Sequence, residues 1–220
     1  MIAETETPKT RVVVFDFDGT IVNSMEAFAD IAARVMPRRL PVKSSDARRL
    51  YLETSGIPFF QQLEVLFPGN SANAATAGEF EAEKLLGYFD EPIFEDAPDT
   101  VSELRSRGIK AAVSSNNFQD LVDRFVGQTG IEFDMVCGFR DGFAKGRDHF
   151  VHIEREFGVT PAEITFVGDS LKDGERADGH GVAFIGKTGI FTRTQFLEKF
   201  PNARVISALS ELKGIIPCMR

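Results

Sequence analysis

The stretch VVVFDFDGTIVNS, from Val12 to Ser24, joins an apolar run to two aspartates, Asp16 and Asp18. A short run of this kind, closed by a glycine, predicts a strand that is buried on both faces. Because side chains alternate along a strand, the two carboxylates share a face, and Phe17 turns into the core. Gly19 then lets the chain bend and brings backbone N–H groups close to a ligand. Active sites of open α/β sheets lie at this carboxyl edge, so we expect one here.

Similar apolar runs recur along the chain, and amphipathic segments separate them. The predicted strands are 11–17, 110–115, 134–139, 164–170, 182–187 and 203–207. The segments between them have helical spacing, with proline near the start or glycine at the end, as in PDTVSELRSRG (98–108). Strand–helix alternation of this kind predicts an α/β fold: a Rossmann-like, doubly wound parallel sheet with helices on both faces.

The alternation stops between residues 24 and 92, where no strand-like run occurs. Apolar residues there follow helical spacing, beginning with Met25, Phe28 and Ile31, and prolines divide the stretch into short helices. We therefore expect a Rossmann-like core formed by residues 1–23 and 93–220, and an inserted, all-helical cap formed by residues 24–92.

Composition limits the partners and the compartment. The net charge is −8, from 25 basic and 33 acidic residues, which argues against binding of nucleic acid or an anionic membrane. The N-terminal stretch lacks the features of a signal peptide, and no run is long enough to span a bilayer. Two cysteines, Cys137 and Cys218, fit a reducing compartment, and Cys137 is expected to pack as a small hydrophobic residue. The sequence predicts a soluble, cytoplasmic protein, either a monomer or a homodimer.

The paired carboxylates indicate phosphate chemistry. Two neighbouring carboxylates suit a divalent cation, or a nucleophile beside a general acid. Mg²⁺ in particular prefers a few carboxylates together with phosphate oxygens and water. The alternative is a turn rich in Asp and Gly that only ends a strand.

Four ordered motifs resemble those of the haloacid dehalogenase superfamily of phosphohydrolases and phosphotransferases. DFDGT with the following IVNS resembles the first motif, and KAAVSSNN (110–117) resembles the second. Lys145, in GFAKGRDHF, resembles the third, and FVGDSLKD (166–173) resembles the fourth. The helical insert after the first motif is similar to the cap of the subgroup that contains phosphoglycolate phosphatase and β-phosphoglucomutase.

The resemblance implies a role for each matching residue. Asp16 is the expected nucleophile and Asp18 the general acid and base, while Ser114 and Lys145 hold the phosphoryl group. The further residues expected to bind substrate are Gly19, Thr20, Ser115, Asn116 and Arg49. The expected cofactor is Mg²⁺, with a metal site formed by Asp16, Asp18 (through its backbone carbonyl), Asp169 and Asp173.

The sequence departs from the superfamily pattern at three positions. Asn23 stands where an aspartate is common, and Gly146 follows Lys145 where proline is usual. Lys172 is a nearby competitor for the role of Lys145, but it lies inside the fourth motif. His180 replaces a small residue, and we expect it to be structural.

The expected activity is hydrolysis of a small phosphorylated metabolite. Dehalogenases of the superfamily lack the second aspartate, so Asp18 favours phosphoryl transfer. A sugar phosphomutase is the alternative, but Phe28 stands where those enzymes usually carry histidine. A non-catalytic binding protein on the same fold is the third possibility. The cap is expected to select the substrate through Arg49 or the turn at 56–58, and the alternative for Arg49 is a place on a solvated helix face. The sequence does not identify the metabolite.

Overall fold

A computed structural model describes residues 9–217 as a six-stranded sheet flanked by helices. The N-terminal residues 1–8, expected to lack the features of a signal peptide, and Cys218, expected to fit a reducing compartment, lie outside the described residues. The strands are β1 (Val12–Phe15), β2 (Lys110–Phe118), β3 (Met135–Phe139), β4 (Ile164–Gly168), β5 (Ala183–Lys187) and β6 (Arg204–Ile206). All paired strands are parallel, in the order β3-β2-β1-β4-β5-β6. The predicted fold class and all six predicted strands are confirmed.

The strand order places the carboxyl end of β1 at the centre of the sheet. β1 pairs with β2 on one side and with β4 on the other, so that Phe15 lies opposite both Val113 and Val167. The chain reverses its winding direction here, and such a switch point leaves a crevice outside the strand ends. The residues that follow β1, β2 and β4 therefore converge on one place.

Helices cover both faces of the sheet, as the apolar pattern requires. One face carries α5 (Ala97–Ser106), α6 (Gln119–Thr129) and α10 (Leu212–Ile215), and the other carries α7 (Arg147–Phe157) and α8 (Leu171–Asp178), with α9 (Arg193–Lys199) near the β6 edge. Val13 and Val113 pack on the first face, and Val14 and Ala112 pack on the second. Cys137 is 1% exposed in the second cluster, which confirms its expected packing role.

The segment between β1 and α5 is helical throughout its regular elements. It contains α1 (Met25–Val35), α2 (Ser44–Glu53), α3 (Phe59–Leu66) and α4 (Asn73–Gly87), with short 3₁₀ turns at Met36–Arg38 and Tyr88–Asp90. We call residues 24–92 the cap. Its apolar residues continue the cluster that covers the first face of the sheet.

The two chain crossings between core and cap lie side by side. Val22 and Ile93 form an antiparallel bridge, and the Asn23 N–H donates to the Pro92 carbonyl at 2.8 Å. The Phe94 N–H donates to the Ile21 carbonyl at 2.9 Å. Both crossings therefore share one short, hydrogen-bonded junction. Among residues 9–217, no helix combines the length and the apolar character needed to cross a membrane.

Candidate active site

Three buried carboxylates meet at the carboxyl end of the central strands. Asp16 follows β1, Asp169 follows β4, and Asp173 lies in the first turn of α8, where it caps the helix together with Ser170. One oxygen atom from each carboxylate lies within 4.8 Å of the others. All three are less than a tenth exposed, so their mutual repulsion is poorly screened by water.

Lys145 is the cation in closest contact with this cluster, while Arg176 Nη1 lies 3.5 Å from Asp173 Oδ1. Lys145 Nζ lies 2.6 Å from Asp16 Oδ1 and 2.7 Å from Asp173 Oδ1. Burial disfavours the charged ammonium, but Asp16 and Asp173 outweigh this effect and raise the pKa of Lys145. Gly146 follows with a φ of 110°, which glycine adopts without strain. Lys172, the competitor, is instead exposed and pairs with Glu175 at 2.7 Å.

Lys145 and the more distant Arg176 guanidinium do not neutralise three carboxylates. Burial raises the pKa of Asp16 to about 6 against the lowering effect of Lys145, and burial with the nearby Asp16 and Asp173 raises that of Asp169. Asp169 Oδ2 is buried and has no hydrogen-bond partner. Excess negative charge and an unpartnered carboxylate oxygen fit a divalent cation with oxygen ligands.

Asp18 lies apart from that cluster on a different set of partners. Ser24 Oγ donates to Asp18 Oδ1 at 2.7 Å, and Asn117 Nδ2 donates to Oδ2. The Tyr88 hydroxyl lies 3.5 Å from Oδ2 and accepts from Asn117 Nδ2 at 2.7 Å. Burial raises the pKa of Asp18, although Lys84 and these donors oppose the rise. The site thus contains one carboxylate paired with a cation and another on mostly neutral donors, so the two groups have different electrostatic surroundings.

Ser114 is not in the cavity, which corrects the sequence-based assignment. Its Oγ lies 2.8 Å from His149 Nδ1, on the face of the sheet that α7 covers. Because strand side chains alternate, Ser115 points to the opposite side and lines the cavity above Asp16. Ser115 Oγ accepts from the Asn117 N–H at 3.1 Å, which leaves its own hydrogen free to donate.

Two other predicted substrate contacts also lie elsewhere. The Arg49 side chain is 55% exposed, pairs with Glu53 at 2.7 Å, and does not line the cavity. Thr20 is fully buried and likewise absent from the lining. The charges on α2 explain the position of Arg49, because a glutamate four residues later is a favourable partner on an exposed helix face.

Gly19 and Asn116 do lie at the site. A Cβ atom on Gly19 would meet Asp169 Oδ2 at 2.1 Å, so only glycine allows this close approach. Asn116 lines the cavity and donates to the Gly56 carbonyl at 3.1 Å, which brings the cap turn at 56–58 into the lining. His180 lies away from the cavity, stacks on Phe150 with ring centroids 5.5 Å apart, and contacts Glu154.

The resulting cavity has a volume of about 240 Å³ and lies between the core and the cap. Core residues Asp16, Asp18, Lys145 and Asp169 form one end, while α1, α2, α3 and α4 supply much of the remaining lining. Sequence reasoning did not identify Asn117, Lys84, Tyr88 or Ser24. Asn117 and Ser24 carried a signal, because they lie inside the stretches that resemble the second and the first motif.

Comparison with known proteins places the chain in a family. A family model described as haloacid dehalogenase-like hydrolase matches residues 10–181. The chain belongs to the haloacid dehalogenase-like hydrolases, and the predicted resemblance is confirmed.

The individual relatives described next share 28% or less of their residues with this chain. The chain is 28% identical to a phosphoglycolate phosphatase of Pseudomonas putida over 236 residues, covering 94% of this chain and 79% of the relative. It is 24% identical to the tyrosine-protein kinase PtkA of Mycobacterium tuberculosis, over 93% of this chain and 73% of the relative. A solved haloacid dehalogenase-like hydrolase from Bacteroides fragilis superposes with a TM-score of 0.79 at 23% identity, covering 93% of this chain and 100% of that one.

Proposed function

We propose that the protein is a Mg²⁺-dependent phosphatase that hydrolyses a small phosphorylated metabolite through an aspartyl phosphate on Asp16. The observation that carries this proposal is the difference in surroundings between the Asp16 and Asp18 carboxylates. Asp16 pairs with Lys145 beside the cluster of buried carboxylates, whereas Asp18 is held apart on mostly neutral donors. Relatives named phosphoglycolate phosphatase, in several organisms, support the same class of reaction.

The first half of the reaction uses Asp16 as the nucleophile. An Asp16 oxygen attacks phosphorus, and the bond between phosphorus and the leaving oxygen breaks as the acyl phosphate forms. Lys145 and the Ser115 hydroxyl hold the phosphoryl oxygens, so Ser115 takes the role that the sequence gave to Ser114. Asp18, protonated at this stage, donates its proton to the leaving oxygen.

The second half restores the enzyme. Asp18, now ionised, accepts a proton from water, whose oxygen attacks phosphorus and releases inorganic phosphate and free Asp16. The side chains of Asp16 and Asp169 and the Asp18 carbonyl would hold Mg²⁺, with Asp173 supporting the site and Lys145. When bound, the ion supplies positive charge against the phosphoryl oxygens.

Hydrolysis is favoured over phosphoryl transfer between sugar hydroxyls because Phe28 offers no polar group. It lines the cavity, is 3% exposed, and packs on Phe80 and Tyr88. Cytoplasmic location and the absence of nucleic-acid and membrane partners remain part of the proposal. They rest on the cysteine content and the acidic balance.

The test is phosphate release from a panel of metabolite phosphates by metal-stripped protein, with and without added Mg²⁺. We expect release only with the cation, and none from the Asp16→Asn variant. Equal release without the metal would refute the Mg²⁺ dependence. Turnover by Asp16→Asn within tenfold of the unchanged protein would refute the nucleophile.

A further inference from the structure

Exposed phenylalanine is confined to the opening of the active-site cavity. The chain has 21 phenylalanines, all within the described residues, and only Phe60 and Phe118 are exposed. Each is 54% exposed, and both line the cavity that contains Asp16. Phe60 belongs to α3 of the cap, whereas Phe118 ends β2 of the core. Two aromatic rings, one from each side, therefore flank the opening.

The inner wall continues this aromatic surface. Phe28, Tyr51, Phe59 and Phe80 line the cavity from the cap. Their rings contact one another, with centroids 4.1 Å apart for Phe59 and Phe80 and 5.5 Å apart for Tyr51 and Phe80. On the core side, Phe118 packs edge-on against Phe139, another lining residue, at 5.6 Å. Rings in mutual contact form a stiff wall that suits a flat apolar group.

Charge in the cavity does not favour a second anionic group on the substrate. Among the described residues, Lys84 and Lys145 are the cations of the lining, and no arginine belongs to it. Lys145 is paired with Asp16 and Asp173, and Lys84 Nζ donates to Asn117 Oδ1. Both ammonium groups thus already have oxygen partners, and Glu81 adds negative charge to the lining at 3.5 Å from Lys84 Nζ, whereas an apolar group requires neither cation.

We infer that the leaving group of the substrate carries an aromatic ring, which lies between Phe60 and Phe118 while the phosphate lies at Asp16. This inference rests on the proposed function and specifies its substrate class: a phosphomonoester of an alcohol that bears a flat apolar body. The buried Ser55 hydroxyl, which lines the cavity and has no hydrogen-bond partner, is available to a polar substituent on that body.

The test compares two alkyl phosphates whose alcohols are chemically similar leaving groups. We would measure kcat/KM for 2-phenylethyl phosphate and for ethyl phosphate, with Mg²⁺, in the full-length protein. Burial of one phenyl ring in an apolar site predicts a preference of about 10- to 100-fold for the phenyl compound. Phe60→Ala and Phe118→Ala should each reduce that ratio several-fold. Leu86→Ala is the matched control, because Leu86 is 86% exposed and lies outside the cavity lining.

A ratio near one, or a ratio that both phenylalanine variants preserve, overturns the inference while leaving the phosphatase proposal intact. If neither compound is hydrolysed, binding decides the inference, and the phosphatase proposal is decided separately by the panel of metabolite phosphates. Calorimetry of Asp16→Asn with each compound then serves as the readout. Tighter binding of the phenyl compound by tenfold or more sustains the aromatic site, and equal affinities refute it.

Discussion

Replacing two adjacent serines should separate activity from stability. Ser115 lines the cavity with its hydroxyl hydrogen free, and Ser114 contacts His149 on the other face of the sheet. We expect Ser115→Ala to lower kcat/KM and Ser114→Ala to lower the melting temperature. The two variants remove the same atom from neighbouring positions, so each is the control for the other.

The expected size of each effect follows from the hydrogen bond that the substitution removes. A hydrogen bond to a charged phosphoryl oxygen contributes about 1.5–3 kcal/mol, so Ser115→Ala should lower kcat/KM by about 10- to 150-fold. Ser114→Ala leaves a buried histidine nitrogen without its partner, at a cost of about 1–3 kcal/mol. Burial lowers the pKa of His149 to about 3, so the imidazole is neutral near pH 7 and no charge is left unpaired. For a chain of this size, the melting temperature should fall by roughly 2–4 °C per kcal/mol.

The assays are steady-state phosphate release at saturating Mg²⁺ and thermal unfolding of the same preparations. Ser114→Ala should retain kcat/KM within about threefold once it is assayed well below its melting temperature. The assignment of the phosphoryl contact to Ser115 is refuted if Ser114→Ala loses more activity than Ser115→Ala.

Four further outcomes are expected. In EDTA, Asp16→Asn should raise the melting temperature at pH 8, because burial raises the pKa of Asp16 to about 6 from 3.8 and the free energy of unfolding therefore falls as pH rises through that window. The substitution should restore up to about 3 kcal/mol of that free energy, and an equal gain at pH 3.5 and pH 8 would contradict this. Asp169→Asn should raise the Mg²⁺ concentration needed for half-maximal rate, whereas Asp18→Asn should lower kcat by about 10²- to 10⁴-fold with little change in that concentration. If the two variants need the same Mg²⁺ concentration for half-maximal rate, the proposed difference between their roles is wrong. Arg49→Ala should leave kcat/KM within twofold, since its side chain is exposed and paired on the surface, and a tenfold loss would restore it to the site. Gly56→Ala should raise KM, because a Cβ atom there would lie 2.3 Å from Ser170 Oγ and would disturb the contact between the cap turn and the core. If both KM and the melting temperature stay unchanged, that contact is not important.

Strand positions were predictable because both faces of the sheet are covered. Continuous apolar runs such as Ile164–Gly168 are typical of strands that are buried on both faces. The end of β2 was less predictable. Its pairing with β3 shifts after Ser114 and resumes at Phe118 opposite Phe139, so the strand extends beyond the apolar run. That extension depends on a neighbouring strand, which no local pattern records.

The same continuous burial explains the error at the second motif. In a half-exposed strand, polar and apolar residues alternate and reveal which way each side chain points. In the run KAAVSS, both faces are buried, so Ser114 and Ser115 are equivalent to any periodicity argument. Asp16 and Asp18 raised no such difficulty, because the strand ends there and both carboxylates lie at its carboxyl edge. Arg49 was misplaced for a different reason, since its charge was considered without Glu53 four residues later.

The partners of Asp18 show why a motif alone does not complete this site. Asp18 belongs to the core, yet Ser24 and Tyr88 of the cap contact it, and Lys84 of the cap donates to Asn117, which in turn donates to Asp18. The residues that set the environment of the proposed acid thus come from both sides of the cavity. These contacts join positions up to 99 residues apart in sequence. The environment of Asp18 is therefore set by the packing of cap against core, and local pattern predicts the carboxylate but not its protonation.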